Sequence, residues 1–462
     1  MPTSQYLRYS RAITKFSLAN LSPFEYALSG MSLDVIVGLQ RGDEGKGRFV
    51  DLLAGNYDII ARANGGANAG HTVIPKVGEG HLALHQVPSG VAYPGKLNIV
   101  GSGVYLDPVR LLDEIDTIRA GGFGVSPKNL LISYGAHFVL PHHVLLDEIR
   151  ESGDKAQGST KSGIAYVAAD KYLREGQRAE SILKPDQLKA HVTEGLAQAN
   201  TLLADDKKLS KADIETRANE WITAAEEVKP YLADTTEIVN DYLAKGKKVL
   251  VEGAQAYWLD VNHGMYPAVT SSSTTVSGLL DGLGVSAKHL GKVIGVTKSV
   301  KSHVGGGPLV TEVTDEKLAS QIRGPLGKTD SEYGVTTKRP RRIGYPDLVE
   351  LRNAIRVNGV DELAISKLDH VSRYGKTVPI AVSYNYEGDK RLTAPTSAIA
   401  LNKCNPTYRE LETWEKDISA VRDFAELPQE AKAFIKLFET ELGVPVTRIG
   451  VGPNRDQVIF KK

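Results

Sequence analysis

The chain has 462 residues, with 56 Lys and Arg against 55 Asp and Glu, 41% hydrophobic residues and a single cysteine. A net charge of +1 excludes bulk electrostatic attraction to nucleic acid or an anionic membrane, no apolar run approaches the roughly 18–20 residues of a membrane span, and lone Cys404 excludes an intramolecular disulfide or a cysteine-based zinc cluster. These features predict a soluble, cytoplasmic protein with a sizeable core.

Residues 1–30 carry three basic residues and one acidic residue with no sustained period, and Met31 stands just before the first apolar run. They read as an N-terminal extension, disordered or upstream of the true start, ahead of one domain over 31–462. Leu33–Leu39 predicts a strand, followed by a helix over Phe49–Ala54 and strands at Asp58–Arg62 and Leu97–Gly101. Pro108–Ala120 predicts a helix with Val109, Leu111, Leu112 and Ile115 on its apolar face. Strands alternating with helices point to the α/β class, a large mostly parallel sheet flanked by helices. From Lys184 to Lys248 the chain turns rich in Ala, Leu, Glu, Lys and Asp and nearly loses glycine, which predicts an inserted helical subdomain over about 184–248. The α/β pattern resumes with strands at Lys248–Glu252, Val293–Val300, Glu362–Lys367 and Pro379–Tyr384, a helix near Gln429–Leu442 and a last strand around Val446–Ile449.

Glycine makes up 45 of 462 residues, about 10% against an average of about 7%, and it is concentrated in loops after predicted strands. Gln40-Arg41-Gly42-Asp43-Glu44-Gly45-Lys46-Gly47-Arg48 follows the first strand and precedes a helix. A glycine-rich turn there presents backbone N–H groups and a helix N-terminus to a phosphate, and the lysine adds a point charge. It is not a Walker A loop, because Gln40 stands where the first glycine belongs and Gly47 where a hydroxyl would hold Mg²⁺. Two acids in a phosphate loop make sense only if one binds a metal or accepts a proton; otherwise the segment is a polar turn. Gly65-Gly66-Ala67-Asn68-Ala69-Gly70-His71-Thr72 also follows a strand, and His71 there is either structural or a general acid at the sheet edge where α/β proteins bind ligands.

Other segments carry chemistry less specifically. Gly158-Ser159-Thr160-Lys161-Ser162-Gly163 offers hydroxyls and N–H groups to a phosphate, and Glu252-Gly253-Ala254-Gln255 ends a strand. Thr270–Thr275 is a hydroxyl run that serves a ligand or a helix cap. Lys338-Arg339-Pro340-Arg341-Arg342 places four cations in five positions, a solvated face or a site for carboxylates and phosphates. In Ser366-Lys367-Leu368-Asp369 a carboxylate can accept both hydrogens of a guanine edge while the lysine stem covers the ring, similar to the base-reading element of GTP-binding proteins.

In their order from Leu33 to Ile459 these motifs resemble the adenylosuccinate synthetases, which join IMP to L-aspartate at the expense of GTP. The segments Gly42–Gly47, Asn68–Thr72, Glu252–Gln255, Asp260–Ser272, Gly334–Thr337, Lys367–Asp369 and Gly452–Arg455 carry the resemblance. It implies that O6 of IMP is phosphorylated from GTP and that the aspartate amine then displaces phosphate. Asp43 would take the N1 proton of IMP and ligate Mg²⁺ together with the carbonyl of Gly70, His71 would stabilise charge on the transferring phosphoryl, and Gln255 would bond near O6. Lys46, Asn68, Thr160, Gln255 and Thr270 would hold IMP, with Arg174 reaching the phosphate from the other subunit of a homodimer. Thr337, Arg339 and Arg341 would hold L-aspartate. Gly42, Glu44, Gly45, Lys46, Gly47, His71 and Thr72 would line the GTP phosphates, and Lys367, Asp369, Gly450 and Gly452 the guanine.

The sequence departs from the family pattern at Arg41, where a tryptophan is usual, and in the Thr160 loop, where Lys161 replaces glycine, Ser162 an arginine, and Ala165-Tyr166 a Gly-Pro. Lys338 replaces a usual glycine and Gly450 a common serine, and Lys161 stands one position from the missing loop charge. Two other readings follow. One is a paralogue acting on a different purine nucleotide, such as the phage-type synthetases that take dGMP to 2-aminoadenylosuccinate; retention of Asp43, which those relatives tend to replace, argues for IMP. The other is a nucleotide-binding homologue without catalysis, against which Asp43, His71, Gln255 and Lys46 all stand.

Overall fold

A computed structural model describes residues 32–73, 82–153, 156, 158–328, 330–334 and 339–461, with Thr72 described by its backbone only. The extension expected over 1–30 lies outside these residues. Ten strands form one sheet: β1 (Leu33–Gly38), β2 (Ile59–Arg62), β3 (Leu97–Val100), β4 (Leu130–Ser133), β5 (Leu232–Ala233), β6 (Val249–Glu252), β7 (Leu290–Lys298), β8 (Glu362–Ser366), β9 (Val446–Gly450) and β10 (Val458–Phe460). Their spatial order is β10-β9-β8-β7-β1-β6-β2-β3-β4-β5. Every neighbouring pair is parallel except β9 with β10. β1 reads Leu-Asp-Val-Ile-Val-Gly and is buried at every position but Asp34, the continuous apolar run of a parallel strand covered on both faces.

Helices cover the sheet. α1 (Lys46–Ala54) follows β1 directly, and α2 (Pro108–Ala120) starts where the Asp107 carboxylate accepts the N–H groups of Val109 and Arg110 and where Pro108 needs no donor. Its buried stripe is Leu111, Ile115 and Ile118. Val109, expected on that face, is 41% exposed because it sits in the first turn, off the i, i+4, i+7 line. α3 (Pro141–Glu151) and α4 (Ile164–Leu173) follow, then α5 (Pro185–Asn200), α6 (Lys211–Val228) and α7 (Thr235–Ala244) in the glycine-poor stretch. This stretch also supplies β5 to the sheet edge, and Trp221 of α6 meets Phe138 edge to face with centroids 5.2 Å apart.

The strand expected at Pro379–Tyr384 exists within Thr377–Tyr386 but belongs to a separate three-stranded antiparallel sheet with Asp389–Arg391 and Asn405–Glu412. Gly388, at φ +94°, makes the tight return that pairs the first two strands.

The topology fixes where ligands go. From β1 the chain moves to β2 on one side, whereas β7, β8 and β9 lie on the other, so the sheet's direction of growth switches beside β1. In open α/β sheets the crevice beyond the carboxyl ends of the strands at that point is the binding site. The segments leaving β9, β8, β7, β1, β6 and β2 therefore meet along one edge, in the lateral order of their strands.

Candidate active site

The loop between β1 and α1 is built by three left-handed residues in a row of four: Gly42 (φ +88°), Asp43 (φ +56°) and Gly45 (φ +84°). Gly45 caps α1, whose first N–H groups face the cleft. Gly47 is glycine for lack of room, since a Cβ there would stand 2.7 Å from the Cβ of His71 and 3.1 Å from Ser89 Oγ. The two acids of the loop have separate tasks. Glu44 is fully buried, its carboxylate accepting the N–H groups of Gln40 (3.2 Å) and Gly42 (2.8 Å) and pairing with Lys46 Nζ (2.7 Å), so it staples the loop. Asp43 faces the cleft.

Asp43 Oδ2 accepts from Arg341 Nη2 at 2.6 Å. Burial alone would raise its pKa, but Arg341, Lys298 and Lys46 outweigh that and hold it below 3.8, so the carboxylate is ionised at neutral pH. Arg341 is itself shared. Its Nη1 donates to Glu332 Oε2 at 2.6 Å, and its Nε, on the same edge as Nη2, is buried without a hydrogen-bond partner in the protein.

His71 Nδ1 contacts Glu252 Oε1 at the end of β6, and Glu252 also accepts the N–H (2.8 Å) and hydroxyl (2.7 Å) of Ser89. Burial opposes charge on Glu252, yet His71, Arg62 and the Ser89 N–H hold its pKa down to about 2. For His71, burial outweighs the pull of Glu252 and keeps the ring below its ordinary 6.5. The pair therefore rests as carboxylate and neutral imidazole, with the proton on Nδ1 fixed by Glu252 and Nε2 as the remaining ring nitrogen.

Toward β2 and β6, Gln255 Nε2 donates to Asn68 Oδ1 and Asn68 Nδ2 to Thr270 Oγ1, each at 3.3 Å, while Gln255 Oε1 is buried without a partner. The hydroxyl run after Thr270 divides its work, for Thr275 caps α8 (Val276–Leu283) by accepting the Gly278 N–H. Toward β8 and β9, Lys367 lies in the left-handed region at φ +59°, and Asp369 Oδ1 is a buried acceptor with no donor. Arg48 of α1 clamps the turn after β9 by donating to the carbonyls of Gly452, Asn454 and Gln457 at 2.6, 2.6 and 2.7 Å.

The loop at 158–163 is held from α3. Glu151 Oε2 accepts the N–H groups of Gly158 and Ser159, and Asp147 accepts the Ser159 hydroxyl and the Gly163 N–H, two carboxylates four residues apart on one helix face. Thr160 Oγ1 donates to Ser162 Oγ at 3.0 Å. The cation beside Ser162 is Arg110 of α2, at 2.7 Å, and Lys161 is exposed. Arg41, the departure at the phosphate loop, is buried and donates to the Pro308 carbonyl and to Glu350, each at 2.6 Å; Glu350 also pairs with Lys301 at 2.8 Å. It thus pins the segment His303–Pro308 against the cleft.

One cleft of about 960 Å³ gathers these groups: Gly42–Gly47, Asn68, Gly70, His71, Thr160, Gln255, Thr270, Arg341, Lys367, Asp369 and Gly452 all line it. Arg174 does not; it lines a separate 360 Å³ hollow with His137, Lys171 and Arg178. Arg339 lies beside Gly158, and Gly450 leaves room for Arg48, whose Nη1 would be 3.1 Å from a Cβ there. Thr337 and the side chain of Thr72 lie outside the described residues. Sequence reasoning overlooked Lys298, Glu332 and Glu350, charged residues buried by tertiary contacts, and gave no role to Glu252, although its place at a strand end beside the glycine loop was a usable signal. His142, His143 and Asp170 also gather, but His143 Nδ1 accepts the Leu140 N–H at 3.0 Å, which leaves its proton on Nε2, donated to Asp170 at 2.8 Å. That arrangement braces the start of α3 and offers no lone pair from His143 to a metal.

A parallel sheet whose switch-point cleft combines a helix start for phosphate, an ionised carboxylate and buried acceptors without donors defines an α/β enzyme that works on nucleotides. Residues 35–459 match the family model described as adenylosuccinate synthetase, and the chain belongs to that family. It is 40% identical over 439 residues to an adenylosuccinate synthetase of Pelodictyon phaeoclathratiforme, covering 95% of this chain and 99% of the relative, and 41% identical over 431 residues to one of Caldicellulosiruptor bescii, covering 92% and 98%. The fully ligated adenylosuccinate synthetase of Plasmodium falciparum superposes with a TM-score of 0.85 at 34% identity, covering 94% of this chain and all of that one. A cyanophage S-2L succinoaminodeoxyadenylate synthetase, bound to dGMP and dATP, shares the fold at a TM-score of 0.56 and 20% identity, covering 93% and 95%. The chain is thus a ligase of purine biosynthesis that forms a C–N bond, with the synthetase reading favoured over the dGMP-using and inactive alternatives.

Two outcomes follow from this geometry. Arg41→Ala removes one of the two cations on Glu350 and the donor to the Pro308 carbonyl and should cost about 2 kcal/mol, read as a lowered urea midpoint at unchanged slope; a loss under about 0.5 kcal/mol would show that the pin carries no stability. Gly47→Ala drives a methyl into His71 and should lower kcat/KM by about 100-fold with the chain still folded; native turnover would show that the ring has room to move.

Proposed function

We propose that this chain ligates L-aspartate to IMP with GTP as phosphoryl donor, and that Asp43 is the base that starts the reaction. The observation that carries this is an ionised carboxylate on a left-handed loop, held by Arg341 in the middle of a cleft that has phosphate donors on one side and the Gln255–Asn68–Thr270 chain on the other. Asp43 takes the N1 proton of IMP, and the electron pair released makes O6 nucleophilic toward the γ-phosphorus of GTP; the P–O bond to GDP breaks as the O6–P bond forms. The aspartate amine then attacks C6, and phosphate leaves with its oxygen.

The other assignments have local support. The N–H groups of α1 and Lys46 face the GTP phosphates, and the orphan Asp369 Oδ1 is the acceptor a guanine edge requires. The Nε–Nη2 edge of Arg341 suits a substrate carboxylate, which replaces Asp43 on Nη2 and frees it for N1. The family resemblance assigns L-aspartate to Arg339 and to Thr337, the latter outside the described residues, as well. Asp43 and the Gly70 carbonyl are an all-oxygen donor set of the kind Mg²⁺ prefers, and the ion, when bound, neutralises phosphate charge. A homodimer is supported by Arg174, whose hollow adjoins Tyr172 and Leu173, 79% and 62% exposed, an apolar pair that a second copy would cover. Among the described residues no helix is long and apolar enough to cross a membrane.

Asp43→Asn tests the central step. It should lower aspartate-dependent phosphate release by about 10²–10⁴-fold while GTP binding is largely kept, and near-native turnover would remove Asp43 from the mechanism. A second outcome concerns His71. Its pKa lies below 6.5 without ligand, and an arriving phosphate raises it, so GTP binding takes up a proton and affinity falls as pH rises through the interval between the free and the bound pKa. Calorimetry in buffers of different ionisation enthalpy should show this uptake, and its loss in His71→Asn; equal enthalpies in every buffer would mean that the ring stays neutral.

A further inference from the structure

Glu332 joins the two ends of the cleft. It is fully buried, with Oε1 accepting from Lys367 Nζ at 2.5 Å and Oε2 from Arg341 Nη1 and Ser302 Oγ, each at 2.6 Å, while Lys298 Nζ lies 3.5 Å from Oε2. These partners come from three places along the binding edge: Lys298 ends β7 and Ser302 follows it, Lys367 follows β8, and Arg341 adjoins a short strand at Arg342–Gly344. The backbone of Glu332 is fixed as firmly, for its N–H donates to the Arg323 carbonyl at 2.8 Å and its own carbonyl accepts the Arg341 N–H at 3.0 Å.

The charges in this knot explain why one carboxylate matters to both ends. Lys298, Lys367 and Arg341 are cations; among the described residues Asp43 forms an ion pair only with Arg341, and Glu332 alone pairs with all three. Lys298 is wholly buried and its Nζ also donates to Ser302. Lys298 and Glu332 are closed to water and Arg341 nearly so, so their charges are weakly screened and a shift of one is felt by the next. The two oxygens of Glu332 move as one rigid group. A guanine base that draws on Lys367 at Oε1 therefore changes how Oε2 holds Arg341, and with it the guanidinium edge that meets Asp43.

We propose that Glu332 is a positioning residue that couples the guanine-reading Lys367 to Arg341, so that filling the nucleotide end sets the amino-acid end for its carboxylate. This rests on the roles given above to Lys367, Arg341 and Asp43. Glu332 touches neither substrate, so removing its charge alters where two binding groups sit and leaves the IMP contacts through Asn68 and Thr270 alone.

The test is steady-state kinetics of the full chain with IMP, GTP and L-aspartate varied in turn. In Glu332→Gln the KM values for GTP and for aspartate should each rise about tenfold or more while KM for IMP stays within about twofold. The dependence of the aspartate KM on GTP concentration in the native chain should vanish, and Glu332→Asp should recover part of it. If Glu332→Gln does not fold, Glu332→Gln combined with Lys298→Met keeps the charge of the knot unchanged and should show the same split. Ser302→Ala, which deletes only a hydroxyl at Oε2, should show it in smaller measure. All three KM values rising together, kcat falling alone, or a native pattern in Ser302→Ala and the charge variants would overturn the proposal. A native chain that releases no phosphate from GTP, IMP and aspartate together would instead sink the underlying assignment, and the proposal with it.

Discussion

Arg341 donates to Glu332 through one terminal nitrogen and to Asp43 through the other. A guanidinium in that position does two things at once. It keeps the Asp43 carboxylate ionised against the desolvation that would raise its pKa, and it holds that carboxylate at the centre of the cleft when no substrate is there to orient it. The cost of placing so many charges in a dry interior is met by their mutual contacts, and each removed partner leaves another unpaired. This is why Lys298, Glu332, Arg341, Lys367 and Asp43 form one connected network and why the site cannot be dissected residue by residue without regard to neighbours.

The backbone supplies a second constraint. Six non-glycine residues among those described adopt left-handed φ, and Asp43, Gln255 and Lys367 are three of them, each in a segment that leaves a strand of the central sheet. Each such residue costs about 1–3 kcal/mol and persists only where the surroundings overdetermine it. Here the parallel strands do so. They deliver their carboxyl ends in one row, so a sharp turn after each strand aims its side chain into the cleft, and a relaxed turn would aim it elsewhere. The lateral order of the strands then sets the order of the segments along the cleft: Lys367 and Gly452 at β8 and β9, the glycine loop at β1, and Gln255 and Asn68 at β6 and β2.

Much of this was legible in the sequence, and the physical reason is local. Glycines beside strand ends, a helix start, and the Asn68-to-Thr72 and Lys367-to-Asp369 segments carry their signal within a few residues, and the helix at Pro108–Ala120 announces itself by Asp107, Pro108 and an apolar stripe. The buried charge knot was not legible. Lys298 and Glu332 look like ordinary surface residues until the fold brings β7, β8 and the segment before Arg341 together, across separations no local pattern encodes. The strand at 377–386 was readable as a strand, but its departure from the main sheet depends on pairing with Asn405–Glu412, which again is a long-range choice.

The departures from the family pattern follow the same logic. At Arg41 a guanidinium occupies a place where the family usually has an indole, and it remains tolerable because Glu350 and the Pro308 carbonyl accept its N–H groups. At Ser162 the loop gives up a cation that Arg110 supplies from a neighbouring helix. In both places the partner that meets the side chain comes from a different part of the chain. Loops on a rigid sheet can exchange side chains in this way because the strand ends stay where they are. Under the proposed mechanism Asp43, His71 and Gln255 are bound by a tighter rule, since each would present one particular atom to a reacting centre, and no neighbour could present that atom in their stead.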